Sequence, residues 1–219
     1  MPDQIDTIGR DAIHHFSLKH AARERALPKS RTTIRYCANS IRATHRQEFQ
    51  AAESLIAQAA ALLAEMHNDL SGHQDIYYAG FVQDAQKEYA EAVTFNALVR
   101  NQPLATPDDL SIGFAAYLNG LGEAIGELRR YLLDQLRRGH AEQCEQLLIA
   151  MDDIYAMLIT IDFPDAITAG LRRTTDSARG ILEKTRGDLT AAVIQGQLQR
   201  SMLELQQELK QHQQAGKLE

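Results

Sequence analysis

Tryptophan is missing from this chain of 219 residues, and cysteine occurs only twice, as Cys37 and Cys144, with no CxxC or Cys/His spacing. That argues against a disulfide framework or a zinc finger and leads us to expect a reduced, cytoplasmic protein. Proline is scarce as well, with 5 residues in all. No apolar run approaches the ~18 residues a membrane span needs. The polar N-terminus, with Asp3, Asp6 and Asp11, does not resemble a secretion signal. Period-two alternation of any length is absent, which excludes strands, and no Ser/Gly linker or low-complexity segment divides the chain.

What remains is rich in Ala, Leu, Gln, Glu and Arg, a composition that favours long helices. Hydrophobic residues make up 44 %, enough for a core at this length. The net charge of −6 is unevenly spread: residues 1–50 hold 9 Lys/Arg against 5 Asp/Glu, a net of +4, so the remainder carries −10. A basic N-terminal part joined to an acidic body suits a protein that attracts a polyanion in one place and handles a metal in another.

The breakers predict seven helices in one domain over 1–219, with an N-terminal arm at about 1–28 and a C-terminal tail at about 211–219. A first amphipathic segment should stop at Pro28. Ser30 can cap a second, which runs without Gly or Pro to about Leu70, roughly 60 Å of helix at 1.5 Å per residue. That is too long for a compact monomer to cover. A third spans Asp75 to Asn101. A fourth follows Thr106-Pro107 and ends at Gly139, a fifth covers Ala141 to about Ile161, a sixth runs from Asp165 to Arg186, and a seventh restarts at Gly187-Asp188. The last has coiled-coil-like spacing along Ile194, Leu198, Met202, Leu205 and Leu209.

The third segment carries the most informative pattern. Its 4,3-spaced line reads Tyr77, Phe81, Asp84, Glu88, Glu91, Phe95, Leu98, so three acids stand where a buried stripe is due. Unpaired charge is costly to bury, and the patch therefore needs a metal, basic partners or trapped water. The fourth segment adds Glu123 and Glu127, set among Ala116, Gly120, Gly122 and Gly126, a face where another backbone can come close. Four carboxylates from two helices would suit Mg²⁺ or Mn²⁺, hard ions that take oxygen ligands. Such an ion could activate water against a phosphodiester. Charged faces tied up in salt bridges are the plainer alternative.

A basic stripe opens the second segment. Arg31, Arg35, Arg42 and Arg46 fall on one face, with His45 beside them, and arginine forks match phosphates. A solvated basic face is again the alternative.

Taken in order, these segments resemble the translin/TRAX family. The matching pieces are Ile41-Arg42-Ala43-Thr44-His45-Arg46, Glu88-Tyr89-Ala90-Glu91-Ala92, Tyr117-Leu118-Asn119-Gly120 leading into Gly126-Glu127-Leu128, Phe163-Pro164-Asp165 and Leu171-Arg172-Arg173-Thr174-Thr175-Asp176. The resemblance covers about residues 30–190, and its flavour is that of an archaeal or bacterial single-component member. It implies an all-α fold whose protomers close into a hollow particle, typically an octamer, that binds single-stranded RNA or DNA. The TRAX branch is a Mg²⁺-dependent endoribonuclease with its acids facing the interior; the translin branch binds nucleic acid and lacks the Glu-x-x-Glu pair. Glu88 and Glu91 keep that pair, and Glu127 matches the glutamate of the Gly-Glu-Leu motif. Glu123 stands where TRAX carries aspartate, and Gln74-Asp75-Ile76-Tyr77-Tyr78 replaces the basic stretch of translin.

The expectation is thus a homo-oligomer binding single-stranded RNA, with Glu88, Glu91, Glu123 and Glu127 holding Mg²⁺ or Mn²⁺ for endoribonuclease chemistry. Arg31, Arg35, Arg42, His45 and Arg46 would hold the backbone. The rival is a non-catalytic particle binding single-stranded RNA or DNA.

Overall fold

The structure, a computed structural model, describes the backbone of residues 2–215 and the side chains of residues 3–140 and 144–210. Residues 216–219 of the expected tail lie outside the described residues. The chain is all-helical, as expected, with no strand among the described residues. Among the described residues six helices are long: α1 (Pro2–His45), α2 (Phe49–Asp69), α4 (Gly80–Val99), α6 (Phe114–Arg137), α7 (Ala141–Leu158) and α9 (Leu171–Ala215). Three are single turns between them: α3 (Gln74–Tyr77), α5 (Pro107–Leu110) and α8 (Asp165–Thr168).

Several joints fall elsewhere than the breakers suggest. Pro28 does not stop the first helix; α1 runs through it to His45. Pro28 is exposed, so the carbonyl deprived of its partner one turn earlier can be hydrated, while Ala22, Ala26, Ser30 and Thr33 are buried on the opposite side. Ser30 is accordingly no cap: its hydroxyl donates to the carbonyl of Phe81 at 2.6 Å, tying α1 to α4. The break comes at Arg46–Glu48, where no Gly or Pro marks it. Gln47 takes a left-handed φ of 62°, the Glu48 N–H bonds the Ala43 carbonyl at 2.9 Å and the Gln47 N–H bonds the Thr44 carbonyl at 2.9 Å. This is a Schellman turn with glutamine in the place glycine usually holds.

The expected third helix is likewise divided, with Tyr78 and an extended Ala79 separating α3 from α4. The sixth and seventh segments instead fuse. Gly187 costs a helix interior roughly 0.5–1 kcal/mol, but Leu182, Thr185 and Leu189 on either side of it are all buried, and that packing carries α9 through.

Buried side chains from all six long helices join one apolar cluster. α1 packs on α2 and α4, α4 on α6, and α6 on α7 and α9. Asn119 pins the last junction: its amide donates to the Thr168 carbonyl at 2.9 Å, and its oxygen accepts from the Thr174 hydroxyl at 2.6 Å. Both long rods outrun this core. Ile5, Ile8, Ile13 and Phe16 of α1, and Ile194, Leu198, Met202, Leu205 and Leu209 of α9, are exposed.

Candidate metal centre and nucleic-acid interface

The α4–α6 crossing brings the acids together. A Cβ on Gly120 would come within 2.6 Å of both the Ala90 Cβ and the Lys87 carbonyl oxygen, and 3.0 Å from the Glu91 nitrogen. Glycine at this point lets the two backbones meet. Gly122 serves α9 in the same way, since a Cβ there would overlap the Thr174 methyl; Gly126 has its nearest neighbour at an ordinary 3.9 Å.

At this crossing Glu88, Glu91 and Glu123 converge, with one carboxylate oxygen from each lying within 4.8 Å of the others. Glu91 is the deepest, at 8 % exposure. Neither Glu88 nor Glu91 forms an ion pair among the described residues, whereas Glu123 accepts from Lys87 Nζ at 2.8 Å. Burial, reinforced by the charges of Glu88, Glu123 and Glu127, pushes the Glu91 carboxyl up to about 8. Burial also raises Glu88; Lys87 opposes that shift, and Glu123, Asp84 and Glu127 add to it. The three acids are held together against their own repulsion. An all-oxygen donor set with unspent negative charge fits a hard divalent cation, and the Lys87 ammonium already stands in for part of that charge.

Glu127, the fourth expected ligand, is differently engaged. Its Oε2 lies 2.5 Å from His45 Nε2 and 3.7 Å from Arg130 Nη1. The hydrogen bond with His45 is the main cause that holds its carboxyl below the ordinary range, against the effect of burial. His45, expected in the arginine stripe, has instead an 8 % exposed side chain, its ring 4.7 Å from that of Phe95 and 6.2 Å from that of Tyr131. Its position at the C-terminal end of α1, where the helix passes α4 and α6, turns it inward. Its Nδ1 is buried without a hydrogen-bond partner among the described residues.

Arg31, Arg35, Arg42 and Arg46 are exposed along one side of α1 and the turn after it. Arg42 donates to Asn39 at 2.8 Å, and Arg46 makes a two-pronged contact with Glu48. Buried Cys37, on the inner side of the same helix, feels the cluster too: burial first, then Glu88 and Glu91, push its thiol up to about 12.

Two contributors, Lys87 and Arg173, and the contact made by His45 escape sequence reading. Lys87 sits beside Glu88 in the chain, but its pairing with Glu123 depends on the α4–α6 register. His45 reaches Glu127 across 82 positions. Arg173, with Thr174 and Ser177, lines a cleft of about 650 Å³ whose other walls include Lys87, Glu91 and Glu123; only the basic Arg172-Arg173 doublet hinted at it.

An all-helical frame enclosing a carboxylate cluster narrows the class of protein, and comparison with known proteins supplies the family. The Translin family model matches residues 20–186. An uncharacterized protein of Methanocaldococcus jannaschii is 30 % identical over 186 residues, covering 83 % of this chain and 81 % of its own. Among solved structures, AfC3PO, both alone and in complex with duplex RNA, superposes with a TM-score of 0.78 at 33 % identity, over 84 % of this chain and 96 % of that one. Apo-NeC3PO, at 17 % identity, has the same fold with a TM-score of 0.74, over 84 % of this chain and 96 % of its own. The chain belongs to the translin family.

Proposed function

We propose that this protein binds RNA and cuts it at the α4–α6 crossing, with Glu88, Glu91 and Glu123 as ligands of Mg²⁺ or Mn²⁺ and Glu127 beside them. The observation that carries this reading is Glu91: a carboxylate at 8 % exposure, without an ion pair among the described residues, facing two further carboxylates. A fold gains nothing from such a group unless something compensates it. A divalent ion bound there would polarise water for attack on a phosphodiester. The protein's own part is to orient the three carboxylates, to keep Glu91 largely out of bulk water and to hold Glu127 through His45.

Affinity for RNA is supported by family membership and by the RNA complex of AfC3PO. Single-stranded RNA remains the proposed substrate, held along its backbone by Arg31, Arg35, Arg42 and Arg46. Assembly into a hollow homo-oligomer, expected to be an octamer, would cover the exposed apolar ends of α1 and α9. No described helix is long and apolar enough to cross a membrane, and the proposed location is the cytoplasm.

The test is incubation of labelled single-stranded RNA, and of the same sequence as a duplex, with the protein in Mn²⁺, Mg²⁺ and EDTA, beside Glu91→Gln. Metal-dependent fragments from wild type alone are expected. The rival, a non-catalytic binding particle, is favoured by the Lys87–Glu123 pair, which partly neutralises the cluster without a metal. It predicts a shifted but intact RNA in every lane.

A further inference from the structure

We infer that Arg173 is the phosphate-binding residue of the acid-walled cleft, receiving a phosphodiester of the RNA strand next to the one presented to Glu91; this rests on the nuclease reading above. The cleft runs between α4, α6 and the first turns of α9. Glu91 on one wall is more than nine-tenths buried and makes no hydrogen bond or ion pair among the described residues, so its carboxylate points to an occupant still to come. Arg173 lines the same cleft from α9, with Thr174 and Ser177.

Among the arginines lining the described clefts, Arg100, Arg172 and Arg186 are engaged by Glu53, Asp162 and Asp152. The guanidinium of Arg173 has no such partner among the described residues. The acids that line this cleft would repel a polyanion unless a cation within it met the strand. A planar fork that accepts two phosphate oxygens at once is suited to that place.

The surroundings give the strand a way out. Arg173 and Ser177 also border a second hollow of about 440 Å³, shared with Asp165, Arg172 and Asp176. Arg173 and Ser177 are the residues the two hollows share, so a strand running from one to the other passes beside them. Neither Arg31, Arg35, Arg42 nor Arg46 lines the acid-walled cleft. The stripe on α1 can hold a strand at a distance, whereas Arg173 holds it where it would be cut.

The experiment compares wild type with Arg173→Ala, Arg173→Lys and Arg179→Ala, a control that removes the same charge from an exposed arginine of α9 paired with Glu183. Binding of labelled single-stranded RNA is followed in EDTA across a salt series, cleavage in Mn²⁺, and Mn²⁺ binding by magnetic resonance. Arg173→Ala should reduce the slope of log K against log salt by about 0.7, the loss of one phosphate contact on a single strand. It should also lower kcat/KM by about tenfold or more at unchanged Mn²⁺ affinity, with Arg173→Lys recovering part and Arg179→Ala matching wild type. A wild-type slope and kcat/KM in Arg173→Ala, or an equal loss in Arg179→Ala, overturns the assignment. Wild type that binds but never cuts sinks the nuclease reading alone, and the salt slope still decides Arg173. Wild type that neither binds nor cuts overturns both.

Discussion

His45 Nε2 and Glu127 Oε2 stand 2.5 Å apart, and this one contact sorts four glutamates into two kinds. Glu88, Glu91 and Glu123 face one another; Glu127 faces an imidazole that forms a three-ring cluster with Phe95 and Tyr131. Replacing His45 with Ala removes a buried partner from a half-buried carboxylate and leaves a hole beside two rings. Hydrogen bonds to charged groups are worth about 1.5–3 kcal/mol, and denaturant unfolding of His45→Ala should show a loss of that size or more. Glu127→Gln keeps a hydrogen-bonding side chain there and should lose less. The reverse ranking would mean that the pair does not support the fold.

Acidity gives a second expectation. The metal-free Glu91 carboxyl is raised to about 8 from its ordinary 4.5, so between those values the folded state binds more protons than the unfolded one. Stability from this group is therefore fully present below about pH 4.5 and declines as pH rises through about 8. In EDTA the melting temperature of wild type should fall relative to Glu91→Gln over pH 6–9. Mn²⁺, which favours the carboxylate, should raise wild-type Tm more at the alkaline end. Parallel pH profiles for the two proteins in EDTA would contradict the burial of an uncompensated acid.

Lys87 distinguishes the two functional readings. Its ammonium is bound to Glu123, and burial works against that charge while Glu123 and neighbouring acids hold its pKa above the ordinary value. With Glu123 as a ligand, Lys87→Met removes a competing cation and should tighten Mn²⁺ binding by about threefold to tenfold in titration calorimetry. Unchanged or weaker binding would assign Glu123 to Lys87 alone.

The helix crossing can be probed with a methyl group. Gly120→Ala sets a Cβ against the Lys87 carbonyl, a backbone atom that has little room to retreat. A loss of about 1–3 kcal/mol is expected, together with weakened Mn²⁺ binding because Glu91 is displaced. Gly126→Ala meets its nearest neighbour at 3.9 Å and should gain about 0.5–1 kcal/mol from helix propensity. Chemical denaturation of both variants checks the contrast, and equal effects would refute close approach at Gly120.

The N-terminal arm offers a test of assembly. Ile13 and Phe16 are 70 % and 65 % exposed, and their joint replacement by Ser should lower the native mass in sedimentation analysis while helicity is retained. An unchanged mass would remove α1 from the subunit contacts.

Much of the site could be read from the chain because helical spacing is a local property. Glu88 and Glu91 interrupt an apolar stripe within one helix, and glycines flank Glu123 within another, so their convergence needed only that two stripes pack. The His45–Glu127 and Lys87–Glu123 contacts depend on the register between helices, which no local pattern encodes. Boundaries failed where the usual markers were uncoupled from their effects. Pro28 lies on a solvent-facing side and is tolerated, Gly187 is carried by buried neighbours, and Gln47 takes a left-handed turn that glycine would have announced. Arg173 is one of two adjacent arginines in the chain, and its place in the cleft follows only from the packing of α9.

α9 runs without a break from Leu171 to Ala215, so its first turns, which wall the cleft, and its last, which present bare leucines, belong to one stiff beam. A beam has no joint at which to absorb movement. In the proposed oligomer, subunits that fixed its far end would also set how wide the gap stands between Arg173 and Glu91, making quaternary packing a gauge of what the cleft admits.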